Sequence, residues 1–372
     1  MAEYYTSGIN RKQKRRKRRS TKSLWMLLLD VLFYLFMIFM VVASLMAVIV
    51  QYISPAKVGV CSVVALVAPI IYLLDIAVLL YWVIRWRWVW VAVMAVVVFI
   101  GTLYAPRYYV ADIMRDHTTK YVERHYTKIL SYNIKCGPTP ELIDRIKAIQ
   151  PDIACFQEVL VNKESWLLLA DKYNTTWSEG ESNGCHIATR YRILRTGLIG
   201  SLPRKRGVWA DLRIGDDTVR VVNLHLRSTS IRAEDTNFLE NHKYILDNER
   251  KTKLGSIVAR LTENNIARAE QAKEVEEFLK NTKTKVILCG DFNDVPLSYA
   301  YNTILGDLKD AFVEGGDGYA YTYNTAYRLL RIDNIFLSPE IEVVSYEVDN
   351  DVDLSDHYPI VVRAKLANNT RK

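Results

Sequence analysis

The sequence predicts an α/β domain whose sheets are covered by helices, preceded by a hydrophobic helical segment. Three long apolar runs fill most of the first 105 residues, and from residue 128 onward short β-type segments alternate with helical patterns. Strands mixed with helices in this way indicate layered sheets. The chain has 372 residues, half of them hydrophobic and 24% charged, which excludes a disordered or collagen-like polypeptide.

The three apolar runs are long enough to cross a bilayer. Residues 24–50 contain one charge, Asp30; residues 58–84 contain only Asp75; residues 88–105 contain none. A bilayer core of about 30 Å needs about 20 apolar residues in a helix. None of the runs alternates apolar and polar faces as a soluble core helix does. We therefore predict three transmembrane helices within residues 23–105.

Basic residues predict which ends of these helices face the cytoplasm. Cytoplasmic segments are enriched in Lys and Arg, which places the tail of residues 1–22 and the turn with Arg85 and Arg87 in the cytoplasm. Three crossings then place residues 106–372 on the other side of the membrane. Asp30 and Asp75 lie near the predicted cytoplasmic ends, where cations compensate them or they are protonated. A transport role for them is the less favoured alternative.

The net charge of +8 comes from the tail. Nine of the 49 Lys and Arg residues but only one of the 41 acidic residues precede residue 23, so the rest of the chain is neutral. This argues against a strong electrostatic surface for nucleic acid. Basic groups at 204–206, Arg328 and Arg331 are interpreted as ordinary solvated charge, with a substrate contact as the alternative.

The remaining chain divides into a Tyr-rich connector (106–126), an α/β domain (127–366) and a short tail (367–372). Helical patterns cover 141–149 and 251–279, and the polar insertion from 227 to about 265 has no assigned role. Alternation and β-branched residues predict nine strands: 128–134, 152–156, 186–189, 208–214, 219–226, 286–289, 332–337, 341–348 and 360–364.

The five cysteines do not have the spacing of a metal site. Cys155 and Cys289 lie in segments that resemble buried strands and are interpreted as structural thiols. Cys136 and Cys185 could form a disulfide if the domain lies outside the cytosol. The sequence leaves their state open.

Polar side chains cluster where the predicted strands end. Carboxylates, carboxamides and imidazoles after apolar strands are the groups that a hard metal ion and a phosphate need. Singly, each has a structural explanation: Asn133 could end a strand in a turn, and His225 could be a hydrogen-bonded core histidine. The residues concerned are Asn133, Gln157, Glu158, Asn223, His225, Asp291, Asn293, Asp294, Asp333, Asp356 and His357.

Six short motifs carry these residues in a fixed order: SYNI, FQE, NLHL, GDFNDVP, RIDNIF and SDHYPI. Together they resemble the endonuclease/exonuclease/phosphatase family, which includes DNase I, AP endonucleases and neutral sphingomyelinases. The resemblance spans residues 127–366. It implies a DNase I-like four-layer α/β sandwich, two packed mixed sheets flanked by helices. With the apolar segment, it implies a bacterial member anchored in the inner (plasma) membrane.

The resemblance also implies a role for each matched residue. Glu158 would be the main ligand of Mg²⁺, or alternatively of Mn²⁺, with Asn133 and Asp356 contributing. His225 would contact the phosphate, and Asp291 with Asn293 would position the attacking water and the scissile phosphate. Asp333 would orient His357. The general base is left open between Asp291 and His357.

The sequence departs from two branches of this family. Lys135 stands where AP endonucleases have an acid, and LCGDFND and LRIDNI lack the Trp and the Cys-Asp-Arg of inositol polyphosphate 5-phosphatases. GDFNDVPLSYAY is closer to nucleases and deadenylases, with Ser298 as a helix cap.

The expected substrate is a phosphate ester. A phosphodiester of nucleic acid is favoured; a phospholipid or lipid-linked phosphate is the alternative, and a non-catalytic membrane scaffold comes third. No protein partner is predicted. Four tyrosines could line a substrate groove, although packing is the favoured interpretation: Tyr319, Tyr321, Tyr323 and Tyr327.

Overall fold

The computed structural model describes residues 2–59, 61–111, 126–135, 139–159, 174–177, 184–200, 207–229, 248–324 and 329–366. The predictions for Cys136, Arg204–Arg206, Tyr327 and Arg328 lie outside these residues. Most of the connector, the C-terminal tail and much of the polar insertion lie outside them too. The chain forms two compact units, one of residues 1–46 and 68–102, the other of residues 47–67 and 103–372.

The first unit consists of three helices: α1 (Ala2–Ile49, which runs into the second unit), α2 (Cys61–Ile84) and α3 (Trp88–Thr102). A small apolar core around Met40, Trp82 and Met94 holds them together. Arg85 forms a two-pronged ion pair with Asp30, with both nitrogen–oxygen distances at 2.8 Å. Compensation of Asp30 by a nearby cation is one of the alternatives that the sequence offered.

The predicted number of membrane-spanning helices is corrected from three to two. Residues 24–52 and 63–84 are long and apolar enough to cross a membrane by length and composition, whereas α3 has only 15 residues. Fifteen residues rise about 22 Å, less than the roughly 30 Å of a hydrocarbon core. Only 22% of the apolar window of each longer helix is buried, unlike the core helix of a soluble protein.

The second unit contains two six-stranded sheets. Sheet I has the strand order β13-β14-β2-β3-β5-β4, and sheet II has the order β10-β12-β9-β8-β7-β6. In each sheet one central pair is parallel, β2 with β3 and β8 with β9, and all other pairs are antiparallel. A separate two-stranded pair joins β1 to β11. The strands are β1 (Tyr109–Val110), β2 (Thr127–Asn133), β3 (Ile153–Gln157), β4 (Asn174–Trp177), β5 (His186–Thr189), β6 (Arg192–Ile199), β7 (Gly207–Ile214), β8 (Asp217–His225), β9 (Lys285–Asp291), β10 (Lys309–Asp310), β11 (Gly318–Tyr319), β12 (Asp333–Leu337), β13 (Glu342–Val348) and β14 (Ile360–Lys365).

Among the described residues of this unit there are four further α-helices: α4 (Pro140–Ile149), α5 (Asn248–Lys280), α6 (Tyr299–Leu305) and α7 (Ala311–Gly315). Alternation along the strands explains the layers. In β9, Ile287 and Cys289 enter the core between the sheets, whereas Val286 and Leu288 pack against α5 and α6. Sheet I buries its outer face against α4. The four-layer α/β sandwich is the architecture predicted from the sequence.

All nine predicted strands are present, with ends shifted by a few residues. Ser298 caps α6 by accepting a hydrogen bond from the Tyr301 amide, as predicted. The sequence missed β6, because its arginines, threonine and glycine give no clear alternation. It also missed the short strands β1, β4, β10 and β11, which are defined by their partners in the folded chain.

Candidate active site

The two parallel strand pairs end at the same candidate site. Asn133 closes β2 beside Gln157, the last residue of β3, and His225 closes β8 beside Asp291, the last residue of β9. Asp333 opens β12 directly opposite Asp291 because these strands run antiparallel. The strand ends therefore collect chemical groups from chain positions far apart.

Asn133 connects the two sheets at this edge. Its Nδ2 donates to Glu158 Oε1 at 3.2 Å and to Asp291 Oδ2 at 3.0 Å. Glu158 follows β3 with φ at 57°, a left-handed conformation uncommon for residues other than glycine. Gly184 allows this turn, since a Cβ there would lie 2.6 Å from the Val159 nitrogen.

Asp291 is the centre of the site and is almost fully buried. Its Oδ1 accepts the Asn293 amide at 2.8 Å, and its Oδ2 accepts Asn293 Nδ2 at 3.1 Å. Asn293 is left-handed, with φ at 52°. Its Nδ2 also donates to the Leu226 carbonyl at 3.3 Å, which ties this loop to the residue after His225.

Two histidines face the same oxygen of Asp291. His225 Nε2 and His357 Nε2 each lie 3.8 Å from Asp291 Oδ2, and His225 Nε2 is 3.5 Å from Glu158 Oε1. His357 Nδ1 is 2.8 Å from Asp333 Oδ2. Burial opposes protonation of His357, but the carboxylates of Asp333 and Asp291 outweigh it and raise its pKa above the ordinary value.

Asp356 lies at the edge of this cluster and pairs with a residue outside the predicted site. Its Oδ2 accepts a 2.6 Å hydrogen bond from Lys135 Nζ, and this hydrogen bond raises the pKa of Lys135. Lys135 is itself left-handed, with φ at 54°. Of the eight predicted site residues, seven therefore make direct polar contacts with one another, whereas Asp356 pairs with a lysine at the mouth of the site.

The residues present fit a hard divalent cation. Glu158, His225 and Asp291 each offer a ligand atom within 4.8 Å of the others, and so do Asp291, Asp333 and His357. Asp333 Oδ1 is buried and has no hydrogen-bond partner among the described residues. A cluster rich in carboxylate oxygens is the environment that Mg²⁺ and Mn²⁺ prefer.

Supporting residues were harder to assign from the sequence. Asn223 in β8 donates to the carbonyls of Phe156 and His186 at 2.8 and 2.7 Å and accepts Gln157 Nε2 at 2.6 Å, so it joins sheet II to sheet I. The sequence marked Asn223 and Gln157 as polar residues in apolar strands without giving them a role. Thr322, whose Oγ1 accepts the Asp333 amide at 3.0 Å, gave no sequence signal.

Comparison with known proteins finds two family models that match parts of the chain. Residues 130–357 match the family model described as "Endonuclease/Exonuclease/phosphatase family". Residues 30–108 match a second model, described as "Domain of unknown function (DUF8431)". No curated protein matches the chain.

Several solved structures are similar to about two thirds of this chain. A mannosyl-6-phosphatase from Bacteroides thetaiotaomicron is 20% identical with a TM-score of 0.48, and the match covers 64% of this chain and 100% of that one. An endonuclease/exonuclease/phosphatase protein from Bacteroides vulgatus is 20% identical with a TM-score of 0.49, covering 66% and 100%. A 3'-5' exonuclease from Neisseria meningitidis is 20% identical with a TM-score of 0.44, covering 63% and 98%.

Proposed function

We infer the function from the premise that this chain belongs to the endonuclease/exonuclease/phosphatase family, whose model covers residues 130–357. We propose that it is a divalent-metal-dependent phosphoesterase that hydrolyses a phosphodiester by attack of water. One observation carries the proposal: His225 Nε2 and His357 Nε2 both lie 3.8 Å from the same buried carboxylate oxygen of Asp291. Two imidazoles and a carboxylate around one point are suited to a phosphoryl group and its nucleophile.

Glu158 is the proposed main metal ligand, with Asn133 and Asp356 contributing. A bound Mg²⁺ or Mn²⁺ would polarise the phosphoryl oxygen and stabilise the leaving oxygen. Glu158 suits this role because its carboxylate is half-exposed at the end of β3. Asn133 lies at the same point, since its Nδ2 donates to both Glu158 and Asp291, and it would contribute through its Oδ1, which here accepts the Lys135 amide at 3.1 Å.

The other proposed roles, in binding the phosphate and in orienting and deprotonating the water, belong to side chains of the protein. Asp333 holds Nδ1 of His357, which leaves Nε2 of His357 directed at the site to donate to a phosphate oxygen. His225 would contact the phosphate from the other side of Asp291. Asp291, held by Asn293, would orient the water and accept its proton, which we favour over His357 as general base.

The test of this proposal is an assay of bis-p-nitrophenyl phosphate hydrolysis by the full-length protein with Mg²⁺ or Mn²⁺. Glu158→Gln and His357→Ala should each lower kcat at least about 100-fold, because metal binding and charge stabilisation supply several kcal/mol. Glu340→Gln, an exposed carboxylate elsewhere on the domain, is the matched control and should keep full activity. Full activity in either site variant would remove that residue from the mechanism.

A lipid substrate is the second candidate, favoured by the two apolar helices. We propose that these helices attach the catalytic domain to a membrane, where phospholipids and lipid-linked phosphates are concentrated. Comparing hydrolysis of DNA, RNA, sphingomyelin and a lipid-linked pyrophosphate by the full-length protein separates the two substrate classes. Activity on lipids alone would replace the nuclease proposal.

A further inference from the structure

The residues that follow the apolar helices contact the loop that carries Asp291 and Asn293. Here the connector segment means residues 104–110, which overlap only the start of the Tyr-rich connector (106–126). We call residues 291–298 the catalytic loop. The hydroxyl of Tyr108, in the connector segment, donates to the carbonyl of Pro296, in the catalytic loop. Burial raises the pKa of Tyr108, so its hydroxyl stays protonated and able to donate.

The connector segment is fixed to the second unit on both sides of Tyr108. On one side, buried Arg331 donates from Nη2 to the Arg107 carbonyl at 2.8 Å and to Asp310 Oδ2 at 2.7 Å. On the other side, Tyr109 pairs with Tyr319 in the β1–β11 ladder. Tyr108 is therefore presented to Pro296 by a rigid backbone.

The catalytic loop needs such external support. Asn293 and Leu297 are both left-handed, with φ at 52° and 73°, and residues other than glycine keep this conformation only where their surroundings hold it. Arg268 Nε reaches Asp294 Oδ2 at 3.3 Å near the start of the loop, and the Ser298 cap fixes its end. Between Asp294 and Ser298, among the described residues, the hydrogen bond that reaches the loop from outside is the one that Tyr108 donates to Pro296.

We propose that the connector segment is a positioning element for the catalytic loop, with Tyr108 as its positioning residue. The inference rests on the proposed phosphoesterase function. The connector segment lies outside the matched family region, residues 130–357, and largely inside the region of unknown function, residues 30–108. The membrane-proximal region thus contributes to catalysis as well as to attachment.

The test is Tyr108→Phe in the full-length protein, which removes one hydroxyl and keeps the ring. With bis-p-nitrophenyl phosphate and Mn²⁺, we expect kcat to fall about 3- to 10-fold with KM nearly unchanged, since one hydrogen bond that aligns the reacting groups is lost. Hydrogen–deuterium exchange should increase in a peptide covering residues 292–298. Tyr109→Phe is the control, because Tyr109 is the exposed neighbour, and it should change neither result.

The outcomes separate this inference from the proposed function. Wild-type protein that hydrolyses no phosphoester would remove the function itself. An active wild type with unchanged kcat and exchange in Tyr108→Phe would overturn only the positioning role. A lower thermal midpoint with unchanged kcat per folded molecule would also overturn it, because Tyr108 would then be structural.

Discussion

Strained backbone at single residues coincides with the chemistry of the site. Lys135, Glu158 and Asn293 are left-handed without being glycine, and each lies one or two residues after the end of a strand that bears site groups. The strain turns their side chains toward Asp291 or the mouth of the site, where hydrogen bonds hold them. The sequence could name these residues from their motifs. It could not give their conformation, because that depends on partners such as Gly184.

His186 gives a prediction about pH and stability. Burial in β5 lowers its pKa to about 4, below the ordinary value of 6.5. The unfolded chain therefore binds a proton between pH 6.5 and 4 that the folded chain does not. The stability contributed by neutral His186 is present above pH 6.5 and is lost as the pH falls toward 4, by up to about 3 kcal/mol.

Thermal unfolding of wild type and His186→Gln at pH 7.5 and pH 5 tests this. The substitution itself changes the midpoint at both values, so the measured quantity is the drop from pH 7.5 to pH 5. We expect a smaller drop in the variant than in wild type. Equal drops would mean that His186 does not titrate as its burial indicates.

At the scale of elements, each sheet places its chemistry at the ends of one parallel pair. Parallel strands have both carboxyl ends at one edge, so β2 and β3 bring Asn133 and Glu158 together, and β8 and β9 bring His225 and Asp291 together. Sequence alternation identified these strands and their polar ends. It could not show that the two edges meet, because Asn223 and Asn133 cross between the sheets only in the folded chain.

Helix α5 explains part of the region that the sequence left without a role. Arg268, only 1% exposed, donates from Nη1 to the Arg227 carbonyl at 2.7 Å and faces Asp294 at 3.3 Å. Gln271 Oε1 accepts the Arg227 amide at 2.8 Å. One face of α5 therefore holds both the chain after His225 and the loop after Asp291. The sequence predicted the helix from its Ala, Glu and Lys content, but not this contact.

Replacing Arg268 by Met should destabilise the second unit. The change leaves Asp294 and a carbonyl without their cation, and breaking a buried ion pair typically costs about 3–5 kcal/mol. Lys273→Met, on an exposed face of the same helix, is the matched control and should stay within about 0.5 kcal/mol of wild type. Urea unfolding of both variants measures the difference. Equal urea midpoints for Arg268→Met and Lys273→Met would show that Arg268 contributes no net stability.

At the scale of the whole molecule, composition alone separated the apolar N-terminal region from the neutral domain that follows. Leu35, Phe39 and Leu73 are more than 60% exposed in the first unit, whereas the large apolar side chains of β-strands in the second unit are mostly buried. Composition overestimated the third span, because the apolar run beyond Thr102 leaves the helix and forms a 3₁₀ turn at Ala105–Arg107. Where a helix ends within an apolar run depends on what its last residues pack against.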